Sequence, residues 1–149
     1  MVLAPTIHAS AVLVGAHAVL VRGPAGAGKS RLALALIQGA SRNALPFARL
    51  VADDRCHLEA RGGRLLVRPA AELAGLIEVR GLGIRRLPYE PLAVVGLVVD
   101  LDAAIERLPD VASQTVQIAG ISLPKLTLSA KTDVLGAILA AIQTPAASI

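Results

Sequence analysis

Residues Gly23-Pro24-Ala25-Gly26-Ala27-Gly28-Lys29-Ser30 match the pattern G-x-x-x-x-G-K-[ST] at every fixed position. The chemistry of phosphate binding explains that spacing. Glycines let the backbone curl until successive N–H groups point at a polyphosphate, and the positive end of a following helix adds to the attraction. Lys29 supplies a flexible cation for β- and γ-phosphate oxygens, and the Ser30 hydroxyl is placed to coordinate Mg²⁺. The segment from Gly23 to Ser30 therefore implies a bound nucleoside triphosphate. The plainer alternative is a glycine-rich turn that only opens a helix. A strand-like run before the loop and a helix-forming run after it favour the phosphate site.

A phosphate loop does not name a reaction, so the accompanying carboxylates matter. Two apolar runs end in acids: Leu50-Val51-Ala52 before Asp53-Asp54, and Leu97-Val98-Val99 before Asp100. Each resembles a strand delivering a carboxylate to a metal-bound phosphate, and ligands gather outside the carboxyl ends of parallel strands. In the doublet, a site that keeps both acids near Mg²⁺ can hold one as a base. A turn with solvated acids is the competing reading. Glu78, between Ile77 and Val79, must face water or meet a cation, and Gly81 and Gly83 after it suggest close backbone approach.

The elements that must position these groups are legible from pattern. Ala11–Val14 and Ala18–Val21 read as a hairpin or adjacent strands around Gly15-Ala16-His17, with the second feeding the phosphate loop. Arg31–Gln38 is a helix ended by Gly39, with Ala and Leu on nearly every face, so full burial is expected. Ala48–Ala52 is a strand, and Cys56–Ala60 and Arg64–Val67 form a hairpin across Gly62-Gly63. Ala70–Ala74 suits one helical turn before the short strand Leu76–Val79, and Leu92–Val99 is a fully buried strand by length and composition. Val116–Ile118 and Ile121–Leu128 are strand-like, and Asp133–Ile142 is a closing helix.

A chain of 149 residues suits one domain, spanning 1–149, and its 54% apolar content excludes a disordered chain. No apolar run reaches the roughly 20 residues of a membrane helix, and no Lys or Arg precedes Arg22 to begin a signal peptide, so a cytoplasmic protein without membrane attachment is expected. The lone Cys56 has no internal disulfide partner. Phe47 and Tyr89 are the only aromatic residues, so base-stacking platforms are missing and nucleic acid is not an expected partner. Residues 1–89 hold 12 basic side chains against 5 acidic, and 90–149 hold 3 against 6. The basic half carries the phosphate loop and would draw phosphate or an acidic protein. From charge alone, an ordinary solvated surface is equally open.

In order, the strand-GPAGAGKS-helix unit, LVADD, EVRGLGI and LPKLTL resemble the catalytic domain of the HPr kinase/phosphorylase family, from about Ile7 to about Ile142. The segment Glu78–Ile84 is the most specific element, resembling the family signature. The resemblance implies an α/β fold: a P-loop NTPase-like mixed sheet with flanking helices, similar to the phosphoenolpyruvate carboxykinase-like nucleotide-binding core. It implies an ATP- and Mg²⁺-dependent kinase acting on a serine of an HPr-like phosphocarrier, reversed by phosphorolysis with inorganic phosphate. Asp53 would take the serine proton with Asp54 beside it, Ser30 and Glu78 would hold Mg²⁺, and Lys29 would serve the phosphates. His8 matches a histidine lining the site, Arg107 an arginine that handles phosphate, and Arg80 the signature arginine. Only seven residues precede His8, which suits a form without the regulatory domain of longer members. Pro109-Asp110-Val111-Ala112-Ser113 stands where the family has a glycine-rich stretch associated with phosphorolysis. A homo-oligomer, a hexamer, is also implied. The rival expectations are a small-molecule kinase with the same loop and a nucleotide-dependent switch that phosphorylates nothing.

Overall fold

The computed structural model describes residues 5–42, 47–101, 114–129 and 133–143. Strands β1 (Ser10–Val14) and β2 (His17–Arg22) form a hairpin closed at Val14 and His17, with Gly15 at φ 63° in the two-residue turn. Helix α1 (Lys29–Ser41) follows the loop, and β3 (Ala48–Ala52) returns antiparallel beside β1. The hairpin of β4 (Cys56–Arg61) and β5 (Arg64–Pro69) turns at Gly62 and Gly63, both at positive φ, which two consecutive glycines tolerate without strain. A 3-10 turn at Ala71–Leu73 leads to β6 (Leu76–Val79) and β7 (Gly83–Arg86), a separate two-stranded sheet. Then come β8 (Ala93–Leu101), β9 (Thr115–Ile118), β10 (Ile121–Leu128) and α2 (Val134–Gln143).

The main sheet runs β3-β1-β2-β8-β10-β9, with β5 pairing β8 and β4 pairing β5. Strands β2, β8 and β10 are parallel to one another, and β3 points the same way because it is antiparallel to β1, which is antiparallel to β2. Their carboxyl ends therefore meet at one end of the sheet. This is the mixed sheet expected from the sequence. Both helices pack on one face, where Leu36 and Ile138 join Val12, Val21 and Val99. The other face is covered by strand rather than helix: Leu65 and Val67 of β5 pack with Ala11, Leu20 and Val98.

Three expectations need correction. The apolar run Leu92–Val99 is not fully buried: Leu92 is 48% exposed and Val94, Gly96 and Leu97 are only partly covered. The α1 helix is buried along one stripe only, at Leu32, Ala33, Leu36 and Gly39, while Arg31 and Gln38 meet solvent. Gly81 and Gly83 are not sites of close approach, since no atom lies within 4 Å of a Cβ built at either. They sit at φ 86° and 90° and supply the left-handed turn that makes β6 and β7 a hairpin, which the sequence did not reveal. No described helix is long and apolar enough to cross a membrane. Arg107 and the stretch Pro109–Ser113 lie outside the described residues.

Two stability predictions follow from the packing. The β2–β8 register slips at Gly96, where an added Cβ would lie 2.6 Å from the Cβ of His17, an atom that no side-chain rotation can move. Gly96→Ala should destabilise by about 1–3 kcal/mol in urea titration. Cys56 is fully buried, and burial pushes its thiol up to about 12 from 9.0. Its neutral thiol therefore contributes stability that is whole below 9.0 and is lost as pH rises toward about 12. In the folded protein at pH 8, a thiol reagent should leave Cys56 unmodified, with prompt reaction after denaturation.

Candidate phosphate-transfer site

The loop between β2 and α1 is built by close packing and by glycine. A Cβ at Gly23 would stand 2.8 Å from the carbonyl oxygen of Leu101, so only glycine lets the chain leave β2 against the end of β8. Gly26 and Gly28 sit at φ 81° and 99°. The Ala27 N–H donates to Pro24 O at 3.1 Å, closing the turn through Ala25. Gly28 precedes α1 with no side-chain cap and no acid in the first turn, so the helix presents its N–H groups and positive end to the loop. The Lys29 ammonium donates to Gly23 O at 2.8 Å and Pro24 O at 3.1 Å, which keeps it folded over the loop.

The two adjacent acids have separate environments. Asp53, 5% exposed, accepts from Ser10 Oγ at 2.7 Å, from Ser30 Oγ at 2.8 and 2.9 Å, and from the Glu78 N–H at 3.2 Å. Asp54 sits at φ 71°, a left-handed conformation that aspartate tolerates, and this turns its carboxylate away from that of Asp53. Its side chain is 66% exposed, with Oδ1 3.8 Å from Nδ1 of His8. A register slip between β1 and β3 beside Ala52 bends the chain just before the pair.

One cleft of about 710 Å³ collects Gly26 to Ser30 with Arg31, Asp54, Glu78 and Arg80. Of the residues singled out in sequence, Lys29, Ser30, Asp53, Asp54, Glu78 and His8 thus converge around this cleft, while Arg107 lies outside the described residues. The two acids differ in how they meet the cleft. Asp53 is buried and its oxygens are taken by three groups, whereas Asp54 is the carboxylate that faces the cleft. Asp100, the alternative strand-end acid, is held by Arg22 through Nε at 2.7 Å and Nη2 at 2.9 Å, with Lys125 Nζ at 3.9 Å. That pair fastens the ends of β2 and β8 together next to the loop. A second cavity of about 730 Å³, lined by Val14, His17, Leu97, Lys125 and Ile142, has no described carboxylate in its wall.

The Ser30 hydroxyl lies on Asp53, and the carboxylates of Asp54 and Glu78 line the cleft, oxygen groups of the kind that suit a hard cation, but among the described residues no three carboxylates, histidines or cysteines are grouped closely enough to hold a metal ion by themselves. Ser10 is the functional residue that pattern reasoning missed. The signal was present, since a hydroxyl at the buried start of an apolar strand, Ala9-Ser10-Ala11, must find a polar partner.

Comparisons with known proteins place the chain in a family. A family model described as HPr Serine kinase C-terminal domain matches residues 1–88. An HPr kinase/phosphorylase of Limosilactobacillus reuteri is 34% identical over 140 residues, covering 85% of this chain and 41% of that protein. The one of Geobacillus kaustophilus is 36% identical over 141 residues, covering 85% and 43%. The chain thus spans about two fifths of the length of these curated relatives. Among solved structures, the Hpr(Ser) kinase/phosphatase from Coxiella burnetii is similar with a TM-score of 0.76 at 26% identity, covering 94% of this chain and 95% of that one.

Ser10→Ala should leave the buried Asp53 one donor short and cost about 1–3 kcal/mol in denaturant titration. The loss should not add fully to that of Asp53→Ala, because both remove the same contact; additive losses would mean that the Ser10–Asp53 bond is not what holds the site.

Proposed function

Because the chain belongs to the HPr serine kinase C-terminal domain family, we propose that it is an ATP- and Mg²⁺-dependent kinase domain that phosphorylates a serine of an HPr-like phosphocarrier. One observation carries this reading: the phosphate loop, an exposed carboxylate at Asp54 and the acid Glu78 share a cleft, with Ser30 tied to a buried acid behind it. Mg²⁺, when bound by Ser30 with Glu78 and Asp53 as neighbouring oxygen donors, neutralises charge on the phosphate oxygens.

The chain's own groups do the positioning. Loop N–H groups and Lys29 hold the polyphosphate, and Arg31 and Arg80 add positive charge at the cleft wall. Asp53 fixes the Ser30 hydroxyl, and the Glu78 N–H in turn fixes Asp53. Asp54 is placed to accept the proton of the substrate serine while the serine oxygen bonds the γ-phosphorus and the bond to the β-phosphate oxygen breaks, releasing ADP. His8 stands beside Asp54, its Nδ1 3.8 Å from Oδ1. In reverse, inorganic phosphate takes the phosphoryl group as pyrophosphate and Asp54 returns the proton to serine. Arg107 would assist with phosphate by resemblance to the family.

The test is mass spectrometry of the organism's own HPr-like protein after incubation with the chain, ATP and Mg²⁺. One phosphoserine is expected, removed on adding phosphate; nucleotide binding with no phosphoserine would replace the kinase by a nucleotide-dependent switch. Asp54→Asn should retain ATP affinity and lower the transfer rate at least about 100-fold. Asp53→Asn should instead weaken Mg²⁺-ATP binding through Ser30. Near wild-type transfer by Asp54→Asn would return the base to Asp53.

A further inference from the structure

The β6–β7 hairpin carries a surface that the nucleotide site does not use. Leu82 and Ile84 are each 63% exposed, above every other exposed large apolar residue among those described. All four residues of β7, Gly83 to Arg86, are exposed, and β7 pairs with β6 alone. Exposed apolar side chains on an open strand edge invite aggregation unless a partner covers them. Arg80, Arg85 and Arg86 surround the pair, and none of them has an ion-pair partner among the described residues.

The hairpin is fixed relative to the cleft. Ile77 at its root is buried in the helix-side core, and the Glu78 N–H is bonded to Asp53. Ile84 stands directly across from Glu78, so the two side chains share a face, and Arg86 lies two residues along on that same face. Glu78 and Arg80 already line the cleft. The apolar surface is therefore continuous with the wall past which an acceptor hydroxyl must enter.

From this geometry we infer that the hairpin, through Leu82, Ile84 and Arg86, is the docking surface for the protein substrate, and that the docked face of that substrate combines apolar side chains with carboxylates. The inference rests on the kinase reading and names what that site recognises beyond the acceptor hydroxyl. Charge selects the occupant. A second copy pairing edge to edge along β7 would bring Arg85 and Arg86 of both copies along one seam, which like charge disfavours. Nucleic acid would find the arginines but no aromatic side chain on the hairpin.

Two variants test it, Leu82→Ser with Ile84→Ser and, separately, Arg86→Glu. Calorimetry of each with the purified HPr-like phosphocarrier, and separately with ATP and Mg²⁺, reads docking apart from nucleotide binding and folding. Both variants should weaken the phosphocarrier about tenfold or more while ATP affinity stays within about twofold. The loss in the charge variant should shrink as salt rises, and that in the apolar variant should not. Unchanged phosphocarrier affinity in both variants, or no binding to the wild type, overturns the inference. So does duplex DNA binding that the charge variant abolishes while phosphocarrier affinity is untouched. Hairpin-dependent binding without any phosphoserine upholds the docking surface and overturns the kinase reading alone.

Discussion

The carboxylate of Asp53 is the point on which the site depends. It is buried at the end of β3, and its four bonds reach three remote parts of the chain: Ser10 at the start of β1, Ser30 at the start of α1 and the backbone of Glu78 on β6. A buried carboxylate must be fully bonded to be tolerated. Satisfying it fixes the phosphate loop, the N-terminal strand and the arginine-rich hairpin relative to one another. The same requirement frees Asp54, since a left-handed turn directly after a fully engaged acid sends the next carboxylate outward. One acid is a buried support for the Ser30 hydroxyl, and its neighbour is exposed beside the cleft.

Strand direction explains why these parts can meet. With β2, β3, β8 and β10 running the same way, the loop after β2 and the acids after β3 emerge at one end of the sheet, separated by β1, whose first residue is Ser10. The Arg22–Asp100 pair closes the other side of the loop by joining the ends of β2 and β8, where Gly23 lies against Leu101. An acid at the end of the strand beside the phosphate-loop strand thus serves to hold that strand. The carboxylates that line the cleft come from the end of β3 and from β6. Family membership and the similar solved structure agree with this arrangement of the sheet.

Much of this was legible in the sequence for physical reasons. The phosphate loop has fixed chemistry at fixed spacing, and Gly62-Gly63 announces its turn because few other pairs adopt two positive φ values in succession. The long β8 strand could be read from an unbroken apolar run, although its paired segment begins at Ala93, one residue later than the pattern begins. What could not be read was set by tertiary contact. Ala and Leu around α1 suggested complete burial, but only the sheet decides which stripe is covered. The division between Asp53 and Asp54 depends on which residue meets Ser10 and Ser30, and adjacency in sequence carries no such information. Glycines in Glu78–Ile84 were attributed to close approach, when their purpose is a left-handed turn.

The arginine excess illustrates how location resolves what composition leaves open. Arg22, Arg49 and Arg68 are matched by Asp100, Glu90 and Glu59, so part of the charge is ordinary pairing on or beside the sheet. Arg31 and Arg80 are different: they line the cleft, where positive charge acts on phosphate in a recess that shields it from water better than an open surface does. The net sign of the first half of the chain is therefore divided between stabilising a fold and attracting an anion, and only the second share bears on function. The local arginines, held beside the loop by α1 and the β6–β7 hairpin, set the potential that an incoming phosphate meets.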